Sequence, residues 1–171
     1  MMVKRVRQFL QNISYGFQAV DQMFLIRYLN EKEMDLFGKL QRSEQIHAIL
    51  VAKGVLQELD STENGSFLKA VLFHDIGKIR RPLNIVEKSL AVMVDKLFQE
   101  RSLFEKFEFM RSFRHHGPWG EEILRKEDVF KEPLFYDLVG THQETQEEIA
   151  ARKNEELEFY HNLLKKYDER Y

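Results

Sequence analysis

Residues that interrupt helices are scarce in this chain, which has three prolines and eight glycines among its 171 residues. Apolar residues recur at helical spacing, as at Val20, Phe24 and Tyr28, and the alternation typical of β-strands is nearly absent. The length suits one domain and leaves no room for two full ones. We therefore predict an all-α fold, a single bundle of about seven to nine helices.

Turn residues and capping patterns divide the chain into predicted helices. Asn84 with Glu87, and Thr145 with Glu148, have the spacing of an N-cap and its capping-box partner. Pro118 and Gly120 predict a break, so that the histidines before them lie on a loop. The helices are predicted at 17–29, 33–59, 67–79, 84–100, 120–126, 133–139 and from 145 towards the C-terminus.

The chain contains no cysteine. This excludes disulfide scaffolds, cysteine-ligated zinc, iron–sulfur clusters and thiol nucleophiles, so that any metal must be held by histidine and carboxylate. The net charge is −2, which gives no general attraction to nucleic acid or anionic membranes. We expect neither partner.

The N-terminal residues also bear on location. They lack the apolar run and small-residue cleavage site of a signal peptide, and no segment approaches about 18 uninterrupted apolar residues. A cytoplasmic protein without membrane segments is expected, and its oligomeric state cannot be predicted from the sequence.

The most informative motif is His74-Asp75-Ile76-Gly77-Lys78, which follows an apolar segment. A buried carboxylate is costly unless it is paired or binds a metal. Adjacent helical residues point about 100° apart, so His74 and Asp75 reach one metal only at a helix end or a distortion that Gly77 allows. Lys78 then places an ammonium group nearby, which suits a phosphate oxygen. The alternative is a surface His–Asp pair at a helix end.

Other histidines and an aspartate are weaker candidates when taken singly. His47 lies on an apolar helix face, where a histidine is more often a core residue than a ligand. His116 and His142 stand at predicted helix junctions, where surface histidines are common. Asp168 shares a face with Leu157 and is a carboxylate that needs a partner.

Taken in order, His47, His74-Asp75, His116, His142 and Asp168 resemble the HD-domain superfamily of metal-dependent phosphohydrolases, whose signature is H…HD…D. HDIGK at 74–78 matches a common form of its centre. His116, with glycine four residues later, is similar to the HPxxGxxIL segment of the branch that includes HD-GYP proteins. The resemblance, nearest to small bacterial HDIG proteins, covers about 34–171 of a single domain 1–171. It leaves 1–33 as an N-terminal helical extension.

The resemblance implies a metal site and a reaction. His47, His74, Asp75 and Asp168 would form the basic ligand set, and His116 and His142 would complete a second metal position bridged by Asp75. Such ligands suit one or two divalent ions of Fe, Mn, Co, Ni or Zn. The implied reaction is hydrolysis of a phosphomonoester or phosphodiester, on a small nucleotide-like substrate, by metal-activated water. The catalytic residues would be Asp75 and Lys78, with Lys78, Arg80, Arg81 and His115 as candidates for phosphate contact.

The chain also departs from the branch it resembles. The GYP block is missing from 141–150, and Gln143 stands where a second histidine is usual. The main alternative is therefore a catalytically degenerate HD domain that binds a nucleotide or metal and regulates. Two further alternatives are a helical adaptor that uses the phenylalanine-rich segment 102–113 and a nucleic-acid binder that uses Lys106, Arg111 and Arg114. The net charge argues against nucleic-acid binding.

Overall fold

The computed structural model describes residues 18–59, 65–97 and 106–171. These residues form nine α-helices and one 3₁₀ helix and contain no strand, which confirms the predicted all-α fold. Most of the predicted N-terminal extension (1–17), the turn at 60–64 and the predicted helix end at 98–100 lie outside the described residues. The helices are α1 (Gln22–Leu25), α2 (Glu31–Phe37), α3 (Arg42–Val55), α4 (Gly65–Phe73), the 3₁₀ helix (Ile76–Arg80), α5 (Ile85–Leu97), α6 (Glu108–Lys126), α7 (Pro133–Thr141), α8 (Gln146–Ala150) and α9 (Glu155–Asp168).

The central element is α4, in which every residue from Phe67 to Phe73 except Lys69 is buried. Helices α3 and α7 pack against it. The ring of Phe73 meets that of Phe37 edge-on at 6.0 Å, and the Phe67 ring lies 4.4 Å from that of Tyr160 on α9. A helix that is apolar nearly all round is stable only when it is enclosed in this way.

The single helix predicted at 33–59 is wrong, because the chain forms α2 and α3 with a break at 38–41. The side-chain amide of Gln45 donates a hydrogen bond to the Leu40 carbonyl at 2.8 Å and so satisfies a group that the break leaves open. Leu40 itself is buried in the core. The predicted C-terminal helix is likewise two helices, α8 and α9, separated by Lys153, which has a positive φ of 54°.

The predicted break at Pro118 is also wrong, because α6 runs through it and places His116 within a helix. A proline inside a helix removes one hydrogen bond and clashes with the preceding turn. Packing compensates at the flanking glycines. A Cβ at Gly117 would lie 2.7 Å from the Gly140 carbonyl oxygen, and one at Gly120 would lie 3.1 Å from the Val139 side chain. This face of α6 therefore approaches α7 closely.

No helix among the described residues has the length and apolar character needed to cross a bilayer.

A charged cap begins α5. The Asn84 side chain accepts a hydrogen bond from the Glu87 amide at 2.9 Å, the Glu87 carboxylate accepts one from the Asn84 amide at 3.0 Å, and Arg81 donates to the same carboxylate at 2.6 Å. The capping box predicted from the sequence is present. The hydrogen bond from Arg81, followed by that from Asn84, lowers the pKa of Glu87 from 4.5 to about 2.

We expect Glu87→Gln to lower the melting temperature slightly at neutral pH and less in acid. The folded pKa of Glu87 is depressed, so the stabilisation is present above pH 4.5 and is lost as the pH falls towards 2. A partly exposed ion pair contributes at most about 1 kcal/mol, equivalent to about 2–4 °C. Thermal melts of both proteins between pH 7 and pH 2.5 measure the difference. A difference that does not change with pH would contradict this account.

Candidate metal centre

His74 and Asp75 lie where α4 ends and the 3₁₀ helix begins. The His74 amide still bonds to the Val71 carbonyl, and Asp75 is the N-cap of the 3₁₀ helix. Both side chains are buried. The change of helix type lets neighbouring residues face the same cluster, as the sequence predicts for a helix end.

Glycine is required at position 77 because backbone atoms of α6 approach it closely, and not because its own backbone conformation is unusual. None of the glycines in the described residues has a positive φ. A Cβ at Gly77 would lie 1.8 Å from the His116 carbonyl oxygen and 2.7 Å from the Gly120 amide nitrogen. This contact sets α6 directly against the 3₁₀ helix and so brings His116 to Asp75.

Five elements bring the predicted ligands together. His47 comes from α3, Asp75 and His74 from the α4–3₁₀ junction, His116 from α6, His142 from the end of α7 and Asp168 from the end of α9. They form two overlapping groups, His47 with His74 and Asp75, and Asp75 with His116 and His142, and in each group the ligand atoms lie within 4.8 Å of one another. Asp168 joins the first group, with its Oδ1 atom 2.8 Å from His47 Nε2 and 3.5 Å from His74 Nε2. Asp75 is therefore the residue that both groups share.

Backbone carbonyls orient three of the four imidazole rings. The Nδ1 atoms of His74, His116 and His142 lie 2.7, 2.9 and 2.8 Å from the carbonyl oxygens of Val71, Phe113 and Val139. Each Nδ1 donates its hydrogen there, which leaves Nε2 directed at Asp75. Hydrogen bonding of one ring nitrogen to fix the other as a ligand is the usual arrangement at protein metal sites.

The Nε2 atoms of His74, His116 and His142 lie 3.4, 3.0 and 3.7 Å from Asp75 oxygens. A neutral imidazole nitrogen oriented in this way is an acceptor, and so are the carboxylate oxygens, so the cluster needs positive charge between them, which a proton or a metal ion can supply. His74 Nε2 is buried and has only long contacts, at 3.4 Å to Asp75 and 3.5 Å to Asp168. The donor set, four histidines and two carboxylates, fits a divalent transition metal.

The pKa values of the cluster residues also indicate that positive charge is needed there. Although burial opposes it, Lys78 and His74 hold the pKa of Asp75 well below its usual value. His47 and His74 also lower the pKa of Asp168, although burial opposes this shift. Burial also lowers the pKa of His74, but the charge of Asp75 and a hydrogen bond to Asp168 raise it to about 10. Without a metal, a proton on His74 supplies the positive charge that the two ionised carboxylates demand, and a bound metal would replace that proton.

The pKa of His142 is shifted in the opposite direction from that of His74. Burial first, and then the neighbouring His116 and His74, lower its pKa to about 3. His142 is therefore neutral at physiological pH, as a metal ligand must be.

A cavity of about 490 Å³ opens onto this cluster. Its wall includes His47, Asp75, His116, His142 and Asp168, and the segment 82–114 contributes Pro82, Leu83, Lys88, Val92, Ser112 and Phe113. Four lysines also line it, namely Lys39, Lys78, Lys88 and Lys165. Four carboxylates share the wall with them, namely Glu44, Asp75, Asp168 and Glu169. A cavity of this size suits a small ligand, and the lysines together with a bound metal would favour an anionic one.

The residues predicted to contact phosphate divide into two sets. Lys78 lines the cavity, with its Nζ atom 2.5 Å from Asp75 Oδ2. Arg80, Arg81 and His115 are not among the described residues of the wall. Arg80 pairs with Glu122 at 2.8 Å, Arg81 pairs with Glu87, and the His115 ring lies 6.5 Å from that of Trp119.

Glu44 and Lys88 were not among the site residues predicted from the sequence. Glu44 is buried in α3, one turn before His47, and contacts both Lys78 and Lys88. The sequence signal that could have identified Glu44 is its position three residues before His47, because residues three apart share a helix face. The contact with Lys88 spans 44 residues of sequence and has no local signature.

Gln143 also lines the cavity. Its side chain donates to the Phe113 carbonyl at 2.9 Å and accepts from the Gly117 amide at 3.4 Å. In this structure Gln143 ties the end of α7 to α6.

The fold and the cluster together define an all-α domain with a buried His/Asp centre that fits a divalent metal. The family model of the HD domain matches residues 34–168, most of the chain, and the chain therefore belongs to the HD domain family. HD domains form a superfamily of metal-dependent hydrolases. Neither the curated proteins nor the solved structures include a match to this chain.

Proposed function

We propose that the protein is a metal-dependent phosphohydrolase that cleaves a phosphomonoester or phosphodiester of a small nucleotide-like molecule. The observation that carries the proposal is the convergence of three carbonyl-oriented histidines on Asp75, at the floor of a lysine-lined cavity. His47, His74, Asp75 and Asp168 would hold one ion. Asp75, His116 and His142 would hold a second.

Bound in this site, a divalent transition metal would act as a Lewis acid and lower the pKa of a water molecule so that it can attack phosphorus. The carbonyls of Val71, Phe113 and Val139 keep the imidazole rings in place throughout. Burial opposes the charged form of Lys78, but Asp75 and Glu44 raise its pKa above its ordinary value. Lys78 therefore stays protonated and donates a hydrogen bond to a phosphoryl oxygen as negative charge develops there.

Within the HD family we place the chain with the small HDIG proteins, on the strength of HDIGK at 74–78 and the spacing of His116 and Gly120. The missing GYP block argues against activity on cyclic di-GMP. The geometry favours ester hydrolysis at phosphorus without choosing between monoesters and diesters.

Removal of metal is the first test of this proposal. We expect purified protein to contain up to two equivalents of a transition metal, and dialysis against EDTA to abolish hydrolysis of bis-p-nitrophenyl phosphate and p-nitrophenyl phosphate. Added Mn²⁺ should restore the activity, and it should also raise the melting temperature because metal binds the folded state. Elemental analysis, the chromogenic assay and thermal melts provide the measurements.

The same experiment tests the alternative. Protein that binds metal and melts at a higher temperature with it, yet hydrolyses neither ester, would contradict the proposed activity and favour a degenerate HD domain that regulates. Protein that takes up no metal would contradict the proposed activity and would leave the alternative only as a nucleotide-binding module.

A further inference from the structure

A line of alternating charges leads from the metal cluster along the cavity wall. Lys78 Nζ lies 2.5 Å from Asp75 Oδ2 and 3.0 Å from Glu44 Oε2. The other carboxylate oxygen of Glu44 accepts a hydrogen bond from Lys88 Nζ. In this order of contacts Lys88 is the cation furthest from the cluster.

Glu44 holds two cations that come from separate elements. Its carboxylate is buried, and it has a lysine on each oxygen, which offsets the cost of burying its charge. Lys78 reaches it from the 3₁₀ helix and Lys88 from α5. Because both bind one carboxylate, the two ammonium groups stand close together on the same wall.

Both lysines remain accessible to a ligand. Their side chains are 26% and 27% exposed, and both line the cavity. An ammonium group has three N–H donors. The contacts described use two of them at Lys78 and one at Lys88. Each lysine therefore retains donors for an anion in the cavity.

We propose that Lys88 determines specificity by binding a second phosphoryl group of the substrate, and that the preferred substrates are phosphate esters that carry such a group. The inference rests on the proposed function, which assigns Lys78, beside Asp75, to the phosphoryl group that is cleaved. Lys88 lies beyond Glu44 on the same cavity wall, where it binds the next anionic group of the substrate. Glu44 positions both lysines.

A matched pair of probes tests the proposal without turnover of a natural substrate. Propylphosphonate carries one phosphonate group, and propane-1,3-diylbisphosphonate carries two on the same carbon chain, and neither has a P–O–C ester bond that the protein could hydrolyse. Calorimetric titration of the Mn²⁺-loaded protein should give a dissociation constant about tenfold lower for the bisphosphonate, or about 1.4 kcal/mol. Elemental analysis after each titration checks that the probe has not removed the metal.

Variants at position 88 separate this role from general attraction. Lys88→Met should reduce the preference for the bisphosphonate to about twofold and change propylphosphonate affinity by less than about threefold, because a charge-assisted hydrogen bond is lost to one probe alone. Lys88→Arg should retain most of the preference. Lys88→Gln gives the same test with a polar partner for Glu44 if the methionine variant does not fold.

The control is Lys69→Met. Lys69 also pairs with a buried glutamate, Glu33, at 2.5 Å, but is not among the described residues of the cavity wall. It should bind both probes as the wild type does. An unchanged preference in Lys88→Met, or an equal loss of affinity for both probes, would overturn the proposal.

The two proposals fail separately. Binding with the expected preference but no ester hydrolysis would overturn the enzyme activity and support the second phosphoryl subsite. Hydrolysis of the chromogenic esters with no preference for the bisphosphonate in binding would support the activity and overturn the role of Lys88.

Discussion

Gly77→Ala should cost the protein both stability and its second group of metal ligands. The added Cβ would lie 1.8 Å from the His116 carbonyl oxygen and 2.7 Å from the Gly120 amide nitrogen, and both obstacles are backbone atoms that no rotamer change can move. The 3₁₀ helix and α6 must then separate, and His116 moves away from Asp75. Overpacking of this kind costs about 1–3 kcal/mol, and a displacement of about 1 Å in an active site can cost about 100-fold in rate.

Gly65→Ala is the matched control. A Cβ at Gly65 meets nothing within 4 Å, and the residue is the first of α4. Alanine there should leave the melting temperature unchanged or raise it slightly. Melting curves, elemental analysis and hydrolysis of bis-p-nitrophenyl phosphate should show a large loss only at position 77. A Gly77→Ala protein with wild-type metal content and activity would show that the close approach is not needed.

The all-α fold could be predicted because its signals are local. The scarcity of glycine and proline, the apolar spacing, and the capping patterns at Asn84 and Thr145 all act within a few residues. The helix boundaries that failed depend on distant contacts. Pro118 stays helical because Gly117 and Gly120 pack tightly against neighbouring elements, and nothing in the residues next to Pro118 records that packing.

At the candidate site, too, residues with a signal in the sequence could be predicted, and residues joined only by distant contacts could not. His74 and Asp75 stand out because a charged pair follows an apolar segment, and the other ligands became candidates through their order along the chain. Glu44 and Lys88 could not be identified in this way, because their contact joins α3 to α5 and no spacing rule links residues so far apart. Gly77 was identified for its conformational freedom, whereas the structure requires it for the approach of α6.

Asp75→Asn should have the largest effect of any single change at the cluster. Asp75 belongs to both ligand groups, so an amide at this position weakens both metal positions at once. The volume is unchanged, but the negative charge that balances the cluster is lost. We expect bound metal to fall below about one tenth of the wild-type content, since loss of a supporting interaction alone costs about 10–100-fold in metal affinity. Hydrolysis of bis-p-nitrophenyl phosphate should fall by about 1000-fold or more, since in the proposed function a bound metal would supply the nucleophile.

Asp137→Asn separates this effect from the loss of any carboxylate. Asp137 lies on α7, is 46% exposed and pairs with Arg125 at 2.9 Å, outside the cluster. Its variant should keep wild-type metal content and activity. Loss of Asp75 also removes the charge that raises the pKa of His74, so in the metal-free variant the imidazole should titrate at lower pH than in the metal-free wild type. NMR titration of the histidine side chains measures that shift. Wild-type metal content in Asp75→Asn would mean that the ions bind elsewhere, whereas loss of metal together with a lowered His74 pKa would establish Asp75 as the charge on which both ligand groups depend.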